Sequence, residues 1–298
     1  MRFDRFMELA LYHAEFGYYR TARDPFGTAG DFCTAAQYQP EFGDLIRIFI
    51  EKLGPPQAGT PMRVADLGAG RGEMREAFAR FDYIPVEHGN VMPELVNAVF
   101  ANEFFDALPV RAGVMKDGSA RELLVTECGQ EFCWHVGHVL DTQSAEYLAK
   151  YWTPRAEGDQ FEISDQSKLW IERAAASIDD GWLIAIDYGH MMRETARFPA
   201  GTLMSYRRHI ASGSVLLTPG ERDITAHVSF DALADSAREA GFTDVAVRTL
   251  GSVLIEALSH EPYLERAGLG QRQRVKALLY GLGETFRVLV ARKKAERK

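Results

Sequence analysis

Val64-Ala65-Asp66-Leu67-Gly68-Ala69-Gly70-Arg71-Gly72 is the stretch of sequence that decides the fold. An apolar segment leads into three glycines spaced two residues apart, and a helical pattern follows over about 73–80. Glycine accepts positive φ and lets a ligand approach the backbone without a Cβ in the way. The order of strand, glycine turn and helix therefore predicts an α/β fold that binds a nucleoside-type ligand at this turn.

The spacing of the glycines distinguishes between sites for two kinds of ligand. Dinucleotide sites have the pattern GxGxxG, whereas Gly68, Gly70 and Gly72 form GxGxG behind Asp66, which is the pattern of a class I S-adenosylmethionine site. That ligand carries ammonium and sulfonium charges, so carboxylates suit it. Glu87 ends the next predicted strand, where a carboxylate accepts the two ribose hydroxyls. A tight turn between a strand and a helix, with no ligand, remains the alternative explanation.

On either side of this stretch, the pattern of apolar residues divides the chain into a helical N-terminal extension and a core. Apolar residues at helical spacing predict a helical N-terminal extension over 1–60, which ends in the Pro- and Gly-rich stretch 54–61. The core over 61–298 alternates strands with helices, and the apolar run at 182–187 predicts a strand buried on both faces. An insertion at about 110–160 predicts a β-rich subdomain. The expected architecture is a Rossmann-like, mostly parallel sheet.

The composition disfavours several classes of protein. Hydrophobic residues make up 46% of the 298 residues and charged residues 26%, which is typical of a folded globular chain. The 34 Lys and Arg residues against 42 Asp and Glu residues give a formal charge of −8, which disfavours nucleic acid as a partner. We expect no membrane insertion and a cytoplasmic location, because neither a membrane span nor a signal peptide is recognisable. The 3 cysteines contain no CxxC, which predicts neither a disulfide framework nor a metal site.

Separated segments between residue 11 and about 242 carry a resemblance to a known family. Two of them, ANEFFDALP at 101–109 and DITAHV at 223–228, are long and unusual. The others are Leu11-Tyr12-His13, Gly17-Tyr18-Tyr19, Asp24-Pro25-Phe26-Gly27, Gly30-Asp31-Phe32, Asp66 to Gly72, Asp187-Tyr188-Gly189 and Gly201-Thr202-Leu203. On these segments the chain resembles the MidA family of S-adenosylmethionine-dependent protein arginine methyltransferases, whose mitochondrial members help to assemble respiratory complex I.

The resemblance implies a class I methyltransferase fold with S-adenosyl-L-methionine as the cofactor. It also implies that the methyl acceptor is an arginine side chain of a protein partner. In the mitochondrial members this partner is a subunit of the NADH:ubiquinone oxidoreductase, and the location is the matrix. The family pattern further suggests that the N-terminal loop containing Gly30 and Asp31 closes over the cofactor.

The segment 88–98 departs from the family pattern. In the family, a helix and a further strand normally separate the acidic residue of the second strand from the ANEFFDALP motif. A parallel crossover alone takes a dozen or so residues, so we expect this strand and its helix to be missing or vestigial. The residues after that strand usually frame the adenine, and the cofactor pocket is therefore expected to be more open.

The candidate catalytic residues come just after a predicted strand near 98–101, at the end where open α/β sheets bind ligands. A guanidinium stays protonated in water, so carboxylates must orient its planar fork. Glu103 and Asp106 are the candidates for this role in catalysis and substrate binding. The amide of Asn102 is expected to fix the cofactor or the acceptor nitrogen. The alternatives are that Asp106 caps a turn and that Glu103 is merely exposed.

Further candidates lie later in the chain. Tyr188 follows a predicted strand and is expected to pack on the substrate, with a buried structural tyrosine as the alternative. Asp223 is expected to bind the substrate, or else to cap a helix or turn. His227 and His209 are candidates to receive a proton after transfer, although a lone histidine is more often structural.

The sequence thus favours a methyltransferase acting on arginine, and three rival functions stay open. An oxidoreductase that uses a nicotinamide cofactor is disfavoured by the GxGxG spacing. A non-catalytic assembly or binding protein with a weakened cofactor pocket agrees with the short segment 88–98. A methyltransferase for a small molecule is compatible with an acidic crevice.

Overall fold

A computed structural model describes residues 1–20, 40–54, 60–154 and 156–295 of the chain. The chain divides into two compact units, each made of separate stretches of sequence. The first unit comprises Met1–Cys33, Phe105–Leu169 and His190–Ala232, and the second comprises Thr34–Phe104, Trp170–Gly189 and Leu233–Lys298. In this division the helix Pro40–Leu53 belongs to the second unit, together with the sheet that follows it.

The described residues form the following helices and strands. The helices are α1 (Phe3–Tyr12), α2 (Pro40–Leu53), α3 (Thr142–Tyr151), α4 (Asp165–Ser177), α5 (Phe230–Glu239), α6 (Leu250–His260), α7 (Tyr263–Arg266), α8 (Leu269–Ala277) and α9 (Gly283–Thr285), with 3-10 turns at Tyr18–Arg20 and Met192–Arg197 and a π-helical turn at Leu278–Leu282. The strands are β1 (Arg63–Leu67), β2 (Asp82–Val86), β3 (Val96–Asn102), β4 (Arg111–Lys116), β5 (Ser119–Cys128), β6 (Glu131–Val139), β7 (Gln160–Ile163), β8 (Ile178–His190), β9 (Met204–Arg207), β10 (Ile210–Ser212), β11 (Asp223–Thr225), β12 (Val228–Ser229), β13 (Thr243–Thr249) and β14 (Phe286–Lys293). Among these described helices, none has the length and apolar character needed to cross a membrane.

A mostly parallel sheet forms the centre of the second unit. Its strands run in the order β13-β14-β8-β3-β1-β2. Strand β1 pairs in parallel with β2 and β3, and β3 pairs in parallel with β8, whereas β14 is antiparallel to both β8 and β13. Buried side chains of α2 and α6, such as Phe49 and Leu254, join the apolar core on this sheet. The predicted fold class is therefore confirmed.

The connection from β1 to β2 is irregular, and the prediction of a helix over 73–80 was wrong. Residues 71–80 form successive turns. Some backbone hydrogen bonds span three residues, as from Arg75 to Gly72 (2.9 Å), and others span four, as from Phe78 to Met74 (2.8 Å). Met74 and Phe78, whose spacing suggested a helix, are both buried. They hold an irregular segment against the core instead of a helix.

The connection from β2 to β3 is short, as the sequence predicted. Residues 87–95 contain no helix or strand. Within the described part of the chain, β2 has β1 as its neighbour on one side and no strand on the other. The strand and helix that the family pattern leads one to expect are therefore missing here. The carboxyl ends of β1, β2 and β3 still lie at one edge of the sheet, where α/β folds bind ligands.

Antiparallel sheets build the first unit. One has the strand order β6-β5-β4-β7 and another β10-β9-β11. Helix α1 packs on the first of these sheets because its apolar face recurs at helical spacing: the ring of Phe3 lies 4.9 Å from that of Trp134, and the ring of Phe6 lies 5.4 Å from that of Phe132. The helix ends where His13 adopts an extended conformation, and the chain then enters the turn Tyr18–Arg20.

The expectation that the cysteines form no disulfide was wrong. Cys128 and Cys133 are bonded, with their Cα atoms 5.9 Å apart. They flank the turn between β5 and β6, and the register sets Cys133 opposite Thr126, diagonally across from Cys128. This pairing depends on the register of the hairpin, so the spacing of the cysteines alone does not reveal it.

Candidate functional site

The glycine turn follows β1 at the ligand-binding edge of the second unit. Gly68, Gly70 and Gly72 have φ values of 67°, 55° and 82°, in the left-handed region that side chains disfavour. A Cβ on Gly68 would lie 2.8 Å from Cδ2 of Phe104, which is too close for an undisturbed contact. The turn therefore requires glycine, and it leaves Gly70 exposed.

Glu87 lies against this turn. It follows β2 directly, and its Oε1 accepts a hydrogen bond from the backbone N–H of Gly70 at 2.8 Å. The side chain is half-buried. The hydrogen bond sets a carboxylate beside the exposed backbone of the turn, and the role of Glu87 in ribose binding stays a prediction.

Asp66 is a buried carboxyl group in the same region. It is 3% exposed, and the phenol of Tyr83 donates a hydrogen bond to its Oδ2 at 2.7 Å. Burial raises the pKa of Asp66 to about 7; the hydrogen bond from Tyr83 opposes this shift, and the negative charges of Glu87 and Glu73 add to it. The charges of Glu87 and Glu73 therefore act on Asp66, and a bound cation would favour its ionised form.

Asn102 and Glu103 end β3 at the same edge of the sheet. The Asn102 amide donates to Oε1 of Glu103 at 3.3 Å, and its Oδ1 is buried with no hydrogen-bond partner among the described residues. Glu103 has a φ of 52°, and its backbone N–H donates to the carbonyl of Ile186 at 2.9 Å. Left-handed backbone at a residue other than glycine is strained, and such strain often occurs at functional sites.

Tyr188 lies in a different environment within the second unit. Its ring packs edge-on against Phe286 with centroids 5.7 Å apart, and it contacts the apolar core of the sheet. Its backbone N–H donates to Oδ1 of Asp187 at 2.9 Å. These contacts favour the alternative reading of Tyr188 as a structural residue.

A buried carboxylate and a partly buried phenol meet in the first unit. Asp223 begins β11 and is 3% exposed, and the Tyr19 hydroxyl donates to its Oδ1 at 2.7 Å. The ring of Tyr19 stacks on that of Tyr12 at 5.5 Å, and the Tyr12 hydroxyl donates to the carbonyl of Ala107 at 3.0 Å. The N-terminal turn is thereby tied both to β11 and to the residue that follows Asp106.

Asp106 lies close to the same groups. It is 5% exposed, and its backbone carbonyl accepts from the N–H of Ala226 at 2.9 Å. Burial and the charges of Asp223 and Asp106 raise the pKa of Tyr19 well above its usual range, and burial with the same two charges raises the pKa of Tyr206. Tyr206 also pairs with Asp223 across β9 and β11. We call Asp106, Asp223, Tyr19 and Tyr206 the acidic cluster.

His227 belongs to a second polar region of the first unit, around Glu162. The His227 backbone N–H donates to Oγ1 of Thr202 at 3.0 Å, and Thr202 donates its own N–H and hydroxyl to Glu162 at 3.0 and 2.9 Å. Burial lowers the pKa of the His227 imidazole and raises the pKa of Glu162 to about 7. The His227 ring packs on Phe198 at 5.1 Å. These contacts favour a structural role for His227.

The structure thus places the sequence-predicted residues in separate groups. Asp66, the glycine turn, Glu87, Asn102 and Glu103 follow three neighbouring strands of the second unit, whereas Asp106 and Asp223 share the acidic cluster of the first. Gly30 and Asp31 lie outside the described residues. No group of three or more His, Cys, Asp or Glu side chains in the described ranges is arranged to hold a metal ion.

Tyr19, Tyr206 and Glu162 were missed by the sequence analysis. Tyr19 belongs to Gly17-Tyr18-Tyr19, one of the segments that resemble the family, but the sequence alone indicates only an aromatic turn there. Tyr206 shows its relevance only when β9 pairs with β11, and Glu162 is an ordinary acidic residue in a short strand until burial is known. The missing information was the hydrogen bond to Asp223 for Tyr19, the pairing of β9 with β11 for Tyr206 and burial for Glu162.

Comparisons with known proteins give a consistent result. Residues 78–247 match the model of a family described as putative S-adenosyl-L-methionine-dependent methyltransferases. The Drosophila melanogaster protein arginine methyltransferase NDUFAF7 homolog, mitochondrial, is 24% identical over 88% of this chain and 72% of its own length. The Danio rerio protein arginine methyltransferase NDUFAF7, mitochondrial, is 23% identical over 91% of this chain and 74% of its own length.

A solved structure is similar over almost the whole chain. It is the crystal structure of a likely methyl transferase from Burkholderia thailandensis bound to S-adenosyl-homocysteine, with a TM-score of 0.86. The match is 25% identical and covers 98% of this chain and 88% of that one.

Proposed function

The chain belongs to the family of putative S-adenosyl-L-methionine-dependent methyltransferases, and from this premise we propose that it methylates an arginine side chain of a protein. Its cofactor is S-adenosyl-L-methionine, and its resemblance to the MidA family is confirmed. Relatives named protein arginine methyltransferases support the choice of acceptor. On the same resemblance, we propose a subunit of the NADH:ubiquinone oxidoreductase as the partner.

The residues of the second unit fit a cationic nucleoside. The carboxylates of Asp66 and Glu87 lie at the glycine turn, and the buried Oδ1 of Asn102 is an acceptor that a bound donor would satisfy. We propose that Asp66 and the turn hold the methionine portion, Glu87 the ribose hydroxyls and Asn102 a polar group of the cofactor. When bound, the cofactor supplies a methyl group on a sulfonium, which a nitrogen nucleophile displaces in line.

The acidic cluster of the first unit suits a guanidinium, and this observation carries the arginine proposal. Asp106 and Asp223 are 5% and 3% exposed and act on the same two phenols. A guanidinium binds buried carboxylates favourably when its hydrogen bonds to them are well formed. Its planar fork also pairs with carboxylates through two parallel hydrogen bonds. Tyr19 fixes the orientation of Asp223, and Tyr206 offers a ring face to the cation.

The proposed reaction uses these carboxylates for positioning. We propose that Asp106 and Asp223 hold the guanidinium and fix the orientation of its nitrogens. The new N–C bond forms as the C–S bond breaks, the electron pair leaves on sulfur, and the nitrogen proton passes to a carboxylate or to water. We propose that Glu103, whose strained backbone fixes it beside Asn102, aligns the acceptor nitrogen.

The proposal is tested by measuring cofactor binding and methyl transfer separately. Calorimetry with S-adenosyl-L-methionine should show binding to the wild type. A tritiated methyl donor and an arginine-containing peptide should give methylarginine, identified by mass spectrometry. Asp106→Asn should lower the transfer rate at least about 100-fold, because a neutral amide cannot balance the guanidinium charge, while its affinity for the cofactor is unchanged.

Asp117→Asn serves as the matched control. Asp117 is an exposed carboxylate in a hairpin of the same unit, so the control should retain full activity. Full activity of Asp106→Asn would remove Asp106 from the reaction. Absence of cofactor binding by the wild type would favour the non-catalytic assembly role instead, and methylation of lysine or of a small molecule alone would contradict the arginine assignment.

A further inference from the structure

Two hairpin turns of the first unit follow the usual sequence rules. Lys116 pairs with Ser119 around the two-residue loop Asp117-Gly118, which has φ values of 52° and 71°. This is a type I′ turn, and Asp-Gly is among its preferred sequences. The turn at Gly129-Gln130 has glycine, with a φ of 70°, at the position that requires it. Local sequence and turn geometry therefore agree in both hairpins.

The hairpin between β9 and β10 departs from these rules. Arg207 pairs with Ile210 around the two-residue loop Arg208-His209, and the two loop residues have φ values of 50° and 62°. This is the geometry of Asp117-Gly118, but without glycine, Asn or Asp. Arginine gains nothing from left-handed backbone, so Arg208 is retained at a cost to the fold. We call Arg208-His209 the β9–β10 tip.

The β9–β10 tip is close to the acidic cluster along one strand. Tyr206, a member of the cluster, pairs with Asp223 and lies two residues before Arg208. At about 3.3 Å per residue, the tip is roughly 7–10 Å from Tyr206 along the strand. An extended peptide covers this distance in two or three residues. A substrate whose arginine enters the cluster would therefore bring a residue two or three positions away to the tip.

The tip carries the positive charge of Arg208 in a chain that is acidic overall. The chain as a whole has a formal charge of −8, and the cluster contains two carboxylates. Arg208 and His209 are exposed, and Ile210 beside them is 67% exposed. Arg207 pairs with Glu221 at 2.9 Å. An exposed cationic tip beside an acidic cluster offers complementary contacts to a segment that contains both an arginine and a carboxylate.

We propose that the β9–β10 tip binds a carboxylate of the protein substrate two or three residues from the arginine that is methylated. This inference rests on the proposed function and deepens it, because it specifies the sequence around the acceptor. It also explains the strained turn: Arg208 and His209 contribute recognition that the residues preferred for the turn would not supply.

The test uses a double variant that restores the preferred turn sequence. Arg208→Asn with His209→Gly keeps the type I′ geometry and removes both side chains of the tip. Two synthetic peptides contain a single arginine and differ in one residue two positions away, which is Asp in one peptide and Asn in the other. We expect the wild type to have about 10-fold higher kcat/KM for the Asp peptide, from a charge-assisted hydrogen bond. The variant should lose this preference while its melting temperature rises by about 2–4 °C.

Two further variants separate charge from fold. Arg208→Lys should retain most of the preference, because it keeps the charge. Arg5→Asn removes an exposed arginine of α1 and should change neither the preference nor the affinity for the cofactor. Equal kcat/KM of the wild type for the two peptides would overturn the proposal, and so would a preference that survives in the double variant.

Peptide binding without cofactor distinguishes this proposal from the function on which it rests. Fluorescence anisotropy with the labelled Asp peptide should show about 10-fold weaker binding to the double variant than to the wild type. If this difference is found but neither peptide is methylated, arginine methylation fails and the binding role of the tip stands. If the wild type and the variant bind equally, the role of the tip is excluded whatever the activity.

Discussion

The cofactor region of the second unit and the acidic cluster of the first are both rich in carboxylates, yet they are assembled differently. The cofactor region takes all its candidate residues from the stretch 66–103. The acidic cluster joins Tyr19 to Asp223 across a sequence separation of 204 residues. A site built from one stretch of chain is visible as a motif, whereas a site built from distant strands is visible only in the fold. Because the two regions share no candidate residue, substitutions should separate cofactor affinity from methyl transfer.

The largest effect is expected in the cofactor region. Gly70→Val places a β-branched side chain at a backbone position with a φ of 55°. The same residue donates its backbone N–H to Glu87. The turn must then change shape, so the affinity for S-adenosyl-L-methionine should fall at least about 100-fold. Calorimetry measures this directly, and circular dichroism should show a retained fold.

A glycine in the other unit provides the control for this variant. Gly118 has a φ of 71° and no atom within 4 Å of a built Cβ, so Gly118→Val introduces similar backbone strain away from the cofactor region. It should lower the free energy of unfolding by about 1–2 kcal/mol and leave the affinity for the cofactor unchanged. Equal loss of affinity in the two variants would mean that general destabilisation, and not the glycine turn, is being measured.

A smaller effect is expected in the acidic cluster. Tyr19→Phe removes the hydroxyl that donates to Asp223 at 2.7 Å and leaves the ring packing on Tyr12. Loss of a hydrogen bond to a charged group should lower kcat/KM for methyl transfer about 10- to 30-fold, because Asp223 is no longer held in one orientation. The affinity for the cofactor should not change.

The exposed phenol of Tyr280, in the second unit, provides a comparison for Tyr19→Phe. Tyr280→Phe should leave both the transfer rate and the affinity at wild-type values. A Tyr19→Phe variant with weakened cofactor binding and an intact rate of transfer at saturation would contradict the assignment of the two regions to different tasks.

The parts of the fold that the sequence predicted are those fixed by local pattern. The strand before Gly68, the strand before Glu87 and the buried strand at 182–187 all occur, because apolar runs next to turn residues leave few alternatives. The helix over 73–80 does not occur, since only Met74 and Phe78 supported it. Two buried apolar side chains four residues apart can pack against the core from an irregular segment as well as from a helix.

The parts that were not predicted depend on which strands pair. The disulfide between Cys128 and Cys133 follows from the register of β5 and β6. The relation of Tyr206 to Asp223 follows from the pairing of β9 with β11. Tyr188 was predicted to follow the strand at 182–187 but lies within β8, and its packing against Phe286 is a tertiary contact. The periodicity of apolar residues shows which face of a strand each side chain lies on, but it does not show which strand pairs with it.

The smallest expected effect is a dependence of the cofactor affinity on pH, which arises in the cofactor region. Burial raises the pKa of Asp66 to about 7, so this carboxyl is largely protonated at pH 6 and ionised at pH 8. A cationic cofactor favours the ionised form, and its affinity should therefore fall as the pH is lowered through 7, by about 10-fold between pH 8 and pH 6. Calorimetry across this range should show the dependence in the wild type and a flat, weaker affinity in Asp66→Asn. A dependence that persists in Asp66→Asn would assign the titration to another group, and Asp66 would then be a structural partner of Tyr83 and not a contact of the cofactor.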